Sequence, residues 1–201
     1  MRKKKKRKSV FGFILGFSLF ICLAVAYLLN YNDDIKKAQY PLQYYEIVKK
    51  YSEQFDVPIE IIYAVIKTES SFDKNAISHA NAKGLMQLTD DTLDWITRYH
   101  LNVEQDLDIF DPELNIMVGT YYLRYAYDRY ENWDTVFASY NAGIGRVDSW
   151  LKDSRYSEDG ISLYYIPYKE TREYVVKINN TKNEYIKIYF NKNDRLEGKS
   201  S

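Results

Sequence analysis

Glu69 lies at the end of an apolar run, where the sequence pattern predicts the protein core. The run reads DVPIEIIYAVIKTES and predicts a helix beginning at Pro58, with Glu69 on the same stripe as Ile59, Ile62 and Ile66. Burial and the negative end of the helix dipole both disfavour a carboxylate, so the pKa of Glu69 is expected to be raised. Such a carboxyl can donate a proton near neutral pH. Glu69 is therefore a candidate general acid, with a helix cap or salt bridge as the structural alternative.

Three further motifs combine polar side chains with turn residues. GLMQ places Gln87 after a glycine that can bring backbone close to a ligand. SYNAGIGRV places Tyr140 and Asn141 beside two glycines, and IPYKETREYV places Glu170 at a helix start. Each motif alone is weak evidence, because a Tyr-Asn-Ala-Gly turn is more often only a helix end.

The elements that position these residues have the periodicity of helices, and no pair of segments has the pattern of paired strands. Prolines or cap residues predict helix starts at Pro41, Pro58, Thr89, Asp111 and Pro167. The stretch WDTVFASYNAGIGRVDSWL predicts a helix, a glycine turn and another helix. The fold class is therefore all-α, in a domain of about 150 residues.

The helix that begins after Asp111 has a predicted buried face and an unusual glycine. The face consists of Leu114, Met117, Val118, Tyr121 and Tyr125. Gly119 in a helix interior costs about 1 kcal/mol relative to alanine. We therefore expect a close helix contact at this glycine.

The N-terminal segment predicts a membrane anchor. Residues 2–8 read RKKKKRK, and residues 10–29 carry no charge over a length that spans a hydrocarbon core about 30 Å thick. Basic residues before this segment and NYNDD after it place the body outside the cytoplasm. A cleaved signal peptide is the alternative, since Ala24-Val25-Ala26 resembles a cleavage site.

These features predict the organisation of the whole chain. The predicted order is a basic cytoplasmic tail 1–9, a single-pass anchor 10–29, a stalk 30–40, a folded domain 41–190 and a flexible tail 191–201. The predicted location is the cell membrane, with the folded domain on the extracytoplasmic side.

Charge, cysteine and histidine usage exclude several classes of function. Residues 2–8 hold seven of the 28 basic side chains, so the rest has 21 basic and 28 acidic groups and is not expected to bind nucleic acid. The single cysteine, Cys22, lies in the apolar segment, so the folded domain has no disulfide. His79 and His100 have no partners at metal-ligand spacing, so no metal site is expected.

Taken in order, ESSF, GLMQLT, YNAGIGRV and IPYKETREYV resemble the lytic transglycosylase domain of the soluble type, a lysozyme-like family that cleaves peptidoglycan. The resemblance covers about residues 42–180 and implies a helical fold like that of goose-type lysozymes, with a groove for glycan strands. It implies that Glu69 is the single catalytic acid/base and that no cofactor is needed. It also implies a groove-lining or supporting role for Ser78, Gln87, Tyr140, Asn141 and Glu170, with Tyr140 held close to Glu69.

The implied reaction cleaves the β-1,4 bond between N-acetylmuramic acid and N-acetylglucosamine and leaves a 1,6-anhydro sugar. A hydrolytic muramidase on the same fold and a non-catalytic peptidoglycan-binding module are the alternatives. The expected partners are glycan strands and, through the N-terminal segment, the membrane. Cell-wall or secretion machinery is also compatible with an anchored enzyme.

Overall fold

The computed structural model describes residues 17, 18, 21, 31, 33–103 and 107–190. The predicted basic tail 1–9, most of the predicted anchor 10–29 and the predicted tail 191–201 lie outside the described residues. Within the described part, no helix has the length and apolar character needed to cross a membrane. Residues 33–39 are helical and exposed. Contacts between Cα atoms divide the chain into two units, residues 1–41 and 42–201.

The described part of the second unit is helical. Its α-helices are α1 (Tyr45–Phe55), α2 (Ile59–Glu69), α3 (Asp90–Ile96), α4 (Pro112–Tyr130), α5 (Trp133–Ala142), α6 (Ile144–Leu151) and α7 (Lys169–Tyr189), and a π-helical segment, Thr97–Leu101, continues α3. Isolated bridges join Lys83 to Ile77 and to Leu88, without forming a strand in this part of the chain. The predicted all-α class is confirmed.

The predicted helix starts are partly correct. The side chains of Thr89 and Asp111 each accept a hydrogen bond from a backbone N–H of the first turn, as N-caps do. The starts at Pro41 and Pro167 are wrong by a few residues. Helix α1 begins only after Tyr44, which has a left-handed backbone (φ 58°) that interrupts any helix from Pro41, and α7 begins at Lys169.

Helix α2 is the centre of the core. Residues 61–66 are each at most 2% exposed, because α7 packs along one side of α2 and α1 contacts another. A helix whose residues are apolar on every side is buried on every side. More of α2 is therefore buried than the single predicted stripe of Ile59, Ile62, Ile66 and Glu69 indicates. Ile59 at its start and residues 67–69 at its end are partly exposed. The carboxyl of Glu69 therefore lies where the core meets the surface.

The predicted buried face of α4 is partly correct, since Leu114, Met117 and Tyr121 pack against a core cluster that includes Val118. Of its five members only Val118 is fully buried, and the others are half-buried. The buried residues of α4 are Asn115, Ile116, Val118, Gly119, Thr120, Leu123, Ala126 and Tyr130. Contacts with α1, α3 and α5 cover several sides of this helix, so a one-stripe pattern does not describe it.

Gly119 makes the close contact expected of it, but with a different partner. A Cβ atom added at Gly119 would lie 2.4 Å from the sulfur atom of Met86. The glycine therefore makes room for a side chain of the 84–87 turn, whereas the sequence pattern predicts contact with another helix.

Candidate active site

The carboxyl group of Glu69 is held by a tyrosine from the last helix. Glu69 ends α2, and its Oε1 accepts a 2.6 Å hydrogen bond from the hydroxyl of Tyr174, which lies 105 residues later. Tyr174 is 8% exposed and lies in the second turn of α7. The contact exists because α2 and α7 pack side by side.

The surroundings of Glu69 favour its protonated form. Burial raises the pKa of Glu69 to about 7, although the Tyr174 hydroxyl and the positive charge of Lys177 oppose the shift. Lys177 donates from Nζ to the backbone oxygen of Thr68, 3.2 Å away. The direction agrees with the sequence prediction, and its main cause is the loss of water around the carboxyl. A proton is therefore available on Glu69 near neutral pH.

The 84–87 turn beside Glu69 is fixed from two sides. Ser70 donates from Oγ to the oxygen of Leu85 at 2.8 Å, which ties the turn to the end of α2. From α4, Oδ1 of the buried Asn115 accepts the N–H of Met86 at 2.7 Å, and Nδ2 donates to two backbone carbonyls. Gly84 has a φ of +76°, and an added Cβ would lie 2.3 Å from Nδ2 of Asn115. The turn thus requires glycine at position 84.

Tyr140 contacts this turn through its hydroxyl, which donates to the backbone oxygen of Met86 at 2.7 Å. Its ring meets the Tyr122 ring edge-on, with centroids 5.2 Å apart. Burial raises the pKa of Tyr140 well above its usual value and that of Tyr122 to about 12, so both stay neutral. The family resemblance implies that Tyr140 lies close to Glu69 and orients either Glu69 or the N-acetyl group of the substrate. In the structure the hydrogen bond to Glu69 comes from Tyr174.

A pocket of about 300 Å³ opens beside Tyr140. Its lining combines aromatic rings with polar side chains and includes Gln87, Thr89, Tyr122, Tyr140 and Asn141. Such a lining suits a ligand with hydroxyl and amide groups.

Besides Tyr140, two of the predicted site residues line this pocket. Gln87 donates from Nε2 to the oxygens of Ala76 and Gly84, so its Oε1 is the atom left for a ligand. Asn141 is exposed, and its Oδ1 accepts a 2.8 Å hydrogen bond from the hydroxyl of Thr171 in α7. Both side chains therefore support the local structure and also face the pocket.

The other two predicted binding residues lie on the surface. Ser78 is exposed, and its Oγ accepts the N–H of Ala82 at 3.1 Å, which closes a turn. Glu170 is exposed in the first turn of α7, four residues before Tyr174. Among the described residues, neither side chain hydrogen-bonds to Glu69.

Three residues that position the site were not singled out from the sequence: Ser70, Asn115 and Tyr174. The sequence does contain an indication of Tyr174. It follows Glu170 by four residues in the IPYKETREYV motif, so the two residues share one side of a helix. The indication of Asn115 is weaker: it is a polar residue between apolar residues of a predicted helix. Ser70 belongs to the quoted ESSF motif.

Replacing Tyr174 by phenylalanine is expected to move the pH profile of the site. The Tyr174 hydroxyl lowers the pKa of Glu69, so its removal raises that pKa. A reaction that needs protonated Glu69 then keeps its rate to higher pH, and the alkaline limb of kcat/KM shifts upward by about one pH unit, the size of one charge-assisted hydrogen bond. The pH dependence of kcat/KM measures this shift.

Tyr140→Phe is the matched control for this prediction. It also removes one buried phenol hydroxyl, but that hydroxyl contacts Met86 and not Glu69. Its alkaline limb should stay in place. Equal shifts in both variants would show that the Tyr174 hydroxyl has no special role at Glu69.

The fold and the site together define a lysozyme-like helical domain built around one sheltered carboxyl group. The sequence model of the Transglycosylase SLT domain family matches residues 46–162, which are more than half of the chain. The chain belongs to this family, and the resemblance seen in its motifs is confirmed.

Relatives with assigned names agree with this family. The soluble lytic murein transglycosylase of Escherichia coli is 33% identical over 150 residues, which are 72% of this chain and 23% of that protein. The membrane-bound lytic murein transglycosylase C of Edwardsiella ictaluri is 30% identical over 196 residues, 86% of this chain and 53% of the relative. The chain thus spans about a quarter of the first relative's length and about half of the second's.

Solved structures show the same fold. The 70 kDa soluble lytic transglycosylase of Escherichia coli superposes with a TM-score of 0.66 at 29% identity, over 76% of this chain and 25% of that one. An inactive glutamate-to-glutamine mutant of the lytic transglycosylase Slt from Pseudomonas aeruginosa gives a TM-score of 0.65 at 27% identity. The superposition covers 75% of this chain and 25% of that one.

Proposed function

We propose that this protein is a membrane-anchored lytic transglycosylase of peptidoglycan. It cleaves the β-1,4 bond between N-acetylmuramic acid and N-acetylglucosamine and leaves a 1,6-anhydro-muramic acid end. The observation that carries this proposal is the sheltered Glu69, whose pKa of about 7 lets one group act first as acid and then as base. The names of the relatives support the same reaction class.

In the first step Glu69 acts as a general acid. It gives its proton to the oxygen that links the two sugars, and the bond from this oxygen to C1 of the muramic acid breaks. Positive charge develops at C1, and Glu69 becomes a carboxylate. The hydroxyl of Tyr174, 2.6 Å from Oε1, then stabilises that negative charge.

In the second step Glu69 acts as a general base. It takes the proton of the C6 hydroxyl of the same sugar while the C6 oxygen bonds to C1. The ring closes, Glu69 regains its proton, and no water is consumed. Hydrolases of this kind use two carboxyl groups on either side of the bond. Here the other two carboxyl groups of the motifs, those of Glu170 and Glu173, are exposed on α7.

The remaining predicted residues bind the strand. The Oε1 atom of Gln87 and the amide of Asn141 bind sugar hydroxyl or N-acetyl groups in the pocket beside Tyr140. Ser78 and Glu170, which are both exposed, contact the strand from the surface of the domain. The glycan strands of peptidoglycan are thus the substrate.

The N-terminal segment is proposed to hold the enzyme at the cell membrane. Residues 10–29 form a single span, and the catalytic domain lies on the extracytoplasmic side, where peptidoglycan is found. The membrane-bound relatives support this location. Protease added to intact spheroplasts should degrade residues 41–190 and spare a tag placed before residue 1. Protection of the catalytic domain would contradict this topology.

The reaction is tested by the product. The purified full chain, in detergent, is incubated with isolated cell wall, and the released muropeptides are analysed by mass spectrometry. The expected products end in 1,6-anhydro-muramic acid and are lighter by one water than products with a reducing end. Reducing-end products would identify a hydrolytic muramidase, and binding without any release would identify a non-catalytic module.

A further inference from the structure

We propose that Lys177 is a positioning residue that adjusts Glu69 to its two roles as acid and as base. Lys177 lies in α7, three residues after Tyr174. It acts on Glu69 from the backbone side of that residue, through its positive charge. The inference rests on the proposed function, because only a reaction that uses one carboxyl group twice needs this adjustment.

Lys177 is bonded to the end of the helix that carries Glu69. Its Nζ donates a 3.2 Å hydrogen bond to the backbone oxygen of Thr68, the residue directly before Glu69 in α2. The last carbonyl groups of an α-helix have no partner within the helix and form the negative end of its dipole. A lysine ammonium that bonds to one of them satisfies this oxygen and places a positive charge beside it.

The preceding carbonyl groups of α2 have neutral partners from nearby in the sequence. The oxygen of Ile66 accepts the N–H of Ser70 at 3.1 Å and the hydroxyl of the same serine at 3.2 Å. The oxygen of Lys67 accepts the hydroxyl of Ser71 at 3.3 Å. Lys177 differs from these donors because it is charged and comes from another helix, 109 residues after Thr68.

Tyr174 and Lys177 reach the end of α2 together. Residues three apart lie on one side of a helix, and α7 packs along α2. Tyr174 donates to Oε1 of Glu69 at 2.6 Å, while Lys177 bonds to the backbone one residue earlier. Because Lys177 acts from the backbone side, Oε2 of Glu69 is left for the substrate.

The tyrosines that face Glu69 carry no charge near neutral pH. Burial raises the pKa values of Tyr140 on α5 and Tyr174 on α7 well above their usual range. It also raises the pKa of Tyr122 on α4, whose ring contacts Tyr140, to about 12. Burial raises the pKa of Glu69 to about 7, and the Tyr174 hydroxyl and the positive charge of Lys177 both lower it.

The other charged groups near this end of α2 are exposed or half-buried. None of those in the described part of the chain is among the causes of the Glu69 shift. They are Lys67, Asp73 and Lys74, which follow one another along the chain, and Glu170, Arg172 and Glu173 on α7. The bond of Lys177 to the helix end, and not its charge alone, distinguishes it from them.

The charge of Lys177 affects the two proposed steps in opposite directions. A carboxyl group with a higher pKa is a weaker acid, and its carboxylate is a stronger base. Burial alone would therefore favour the second step, in which Glu69 takes a proton, at the expense of the first. Lys177 stabilises the carboxylate that exists between the steps and so makes the first proton transfer easier.

The test is the pH dependence of kcat/KM for Lys177→Met, measured with the full chain in detergent on soluble glycan strands of peptidoglycan. The pKa of Glu69 should rise by about half a unit, the effect of one exposed charge. The variant should be about twofold slower below pH 6, where Glu69 is protonated but a weaker acid. It should be about twofold faster near pH 9, where more of Glu69 keeps its proton. A loss of the same size at every pH would show a purely structural role and overturn the proposal.

Two control variants and a salt series test whether the charge is responsible. Lys177→Arg keeps the charge and should keep the wild-type profile. Lys182→Met removes another lysine of α7, one that bonds to Asn179 at 2.8 Å, and should also leave the profile unchanged. At about 1 M salt, where charges are screened beyond about 3 Å, the wild-type profile should approach that of Lys177→Met. A shift caused equally by Lys182→Met, or one that salt leaves unchanged, would overturn the proposal.

A measurement of stability separates this inference from the proposed reaction. Chemical denaturation of the full chain gives the unfolding equilibrium constant with and without Lys177→Met, in the wild type and in Glu69→Gln. At pH 9, Lys177→Met should increase this constant about threefold more in the wild type than in Glu69→Gln, the equivalent of half a pKa unit. At pH 5, where Glu69 is protonated in the folded protein, the two effects should be equal.

The two hypotheses can therefore fail separately. If the wild-type protein cleaves no glycan strand, the proposed function fails. The coupling between Lys177 and Glu69 at pH 9 then still decides whether Lys177 acts on this carboxyl group. Equal effects of Lys177→Met in both backgrounds at pH 9 would overturn the inference.

Discussion

Glu69→Gln is expected to remove cell-wall cleavage almost completely, with a fall in rate of about a thousandfold or more. Glutamine keeps the shape of the side chain and can still accept the hydrogen bond from Tyr174, but it has no proton to transfer. Release of soluble muropeptides from purified wall measures the loss. Binding of glycan strands should persist. Substantial cleavage by this variant would remove Glu69 from the mechanism.

The same substitution has a stability signature that depends on pH. The pKa of Glu69 is about 7 in the fold against 4.5 when unperturbed, so the folded state binds the proton more tightly. Wild-type stability should therefore fall as the pH rises from about 4.5 to about 7, by up to about 3 kcal/mol, and then level off. Glutamine does not titrate, so the variant should be the more stable protein at pH 8 and lose that advantage near pH 4.

Glu113→Gln is the matched control for both effects. Glu113 is an exposed glutamate of α4 that pairs with Lys50 at 2.6 Å, and this partner lowers its pKa. The substitution should leave cleavage unchanged and should weakly reduce stability at neutral pH, the opposite sign from Glu69→Gln. Identical pH dependence of stability in the two variants would show that Glu69 is not sheltered from water.

Sequence reasoning succeeded where the determining interactions are local. Thr89 and Asp111 mark helix starts because a cap side chain bonds to backbone within its own first turn. Gly143, with a φ of +88°, separates α5 from α6 at the predicted glycine turn. The position of Glu69 at the end of an apolar helix is also predicted correctly, because helical spacing determines it.

Contacts between residues that are distant in the sequence could not be predicted in this way. Tyr174 contacts Glu69 over 105 residues of chain, and the sequence contains 21 tyrosines, so residue type alone does not single it out. The buried side of α4 depends on which other helices surround it, and periodicity within α4 carries no such information. The amide nitrogen of Gln87 bonds to two loop carbonyls that only the folded turn brings together.

Asn115→Ala is expected to have the largest effect on stability. Asn115 is 1% exposed and bonds to the N–H of Met86 and to the oxygens of Lys83 and Ile109. Alanine leaves these three backbone groups without their partner, and at a buried site the loss should be about 3–5 kcal/mol. Chemical denaturation followed by circular dichroism measures the free energy of unfolding.

The loss should be concentrated at the 84–87 turn, because Asn115 joins that turn to α4. Hydrogen exchange at the N–H of Met86 should become much faster than exchange in the middle of α2, and cleavage should fall even where the helices remain folded. Asn179→Ala is the matched control, since Asn179 bonds to Asp134 near the surface of α7 and contacts no part of the turn. A Met86 N–H that still exchanged only through global unfolding would show that the turn holds its shape without Asn115. The geometry beside Glu69 would then depend on the other bonds of the turn, which include those made by Ser70, Tyr140 and Gln87.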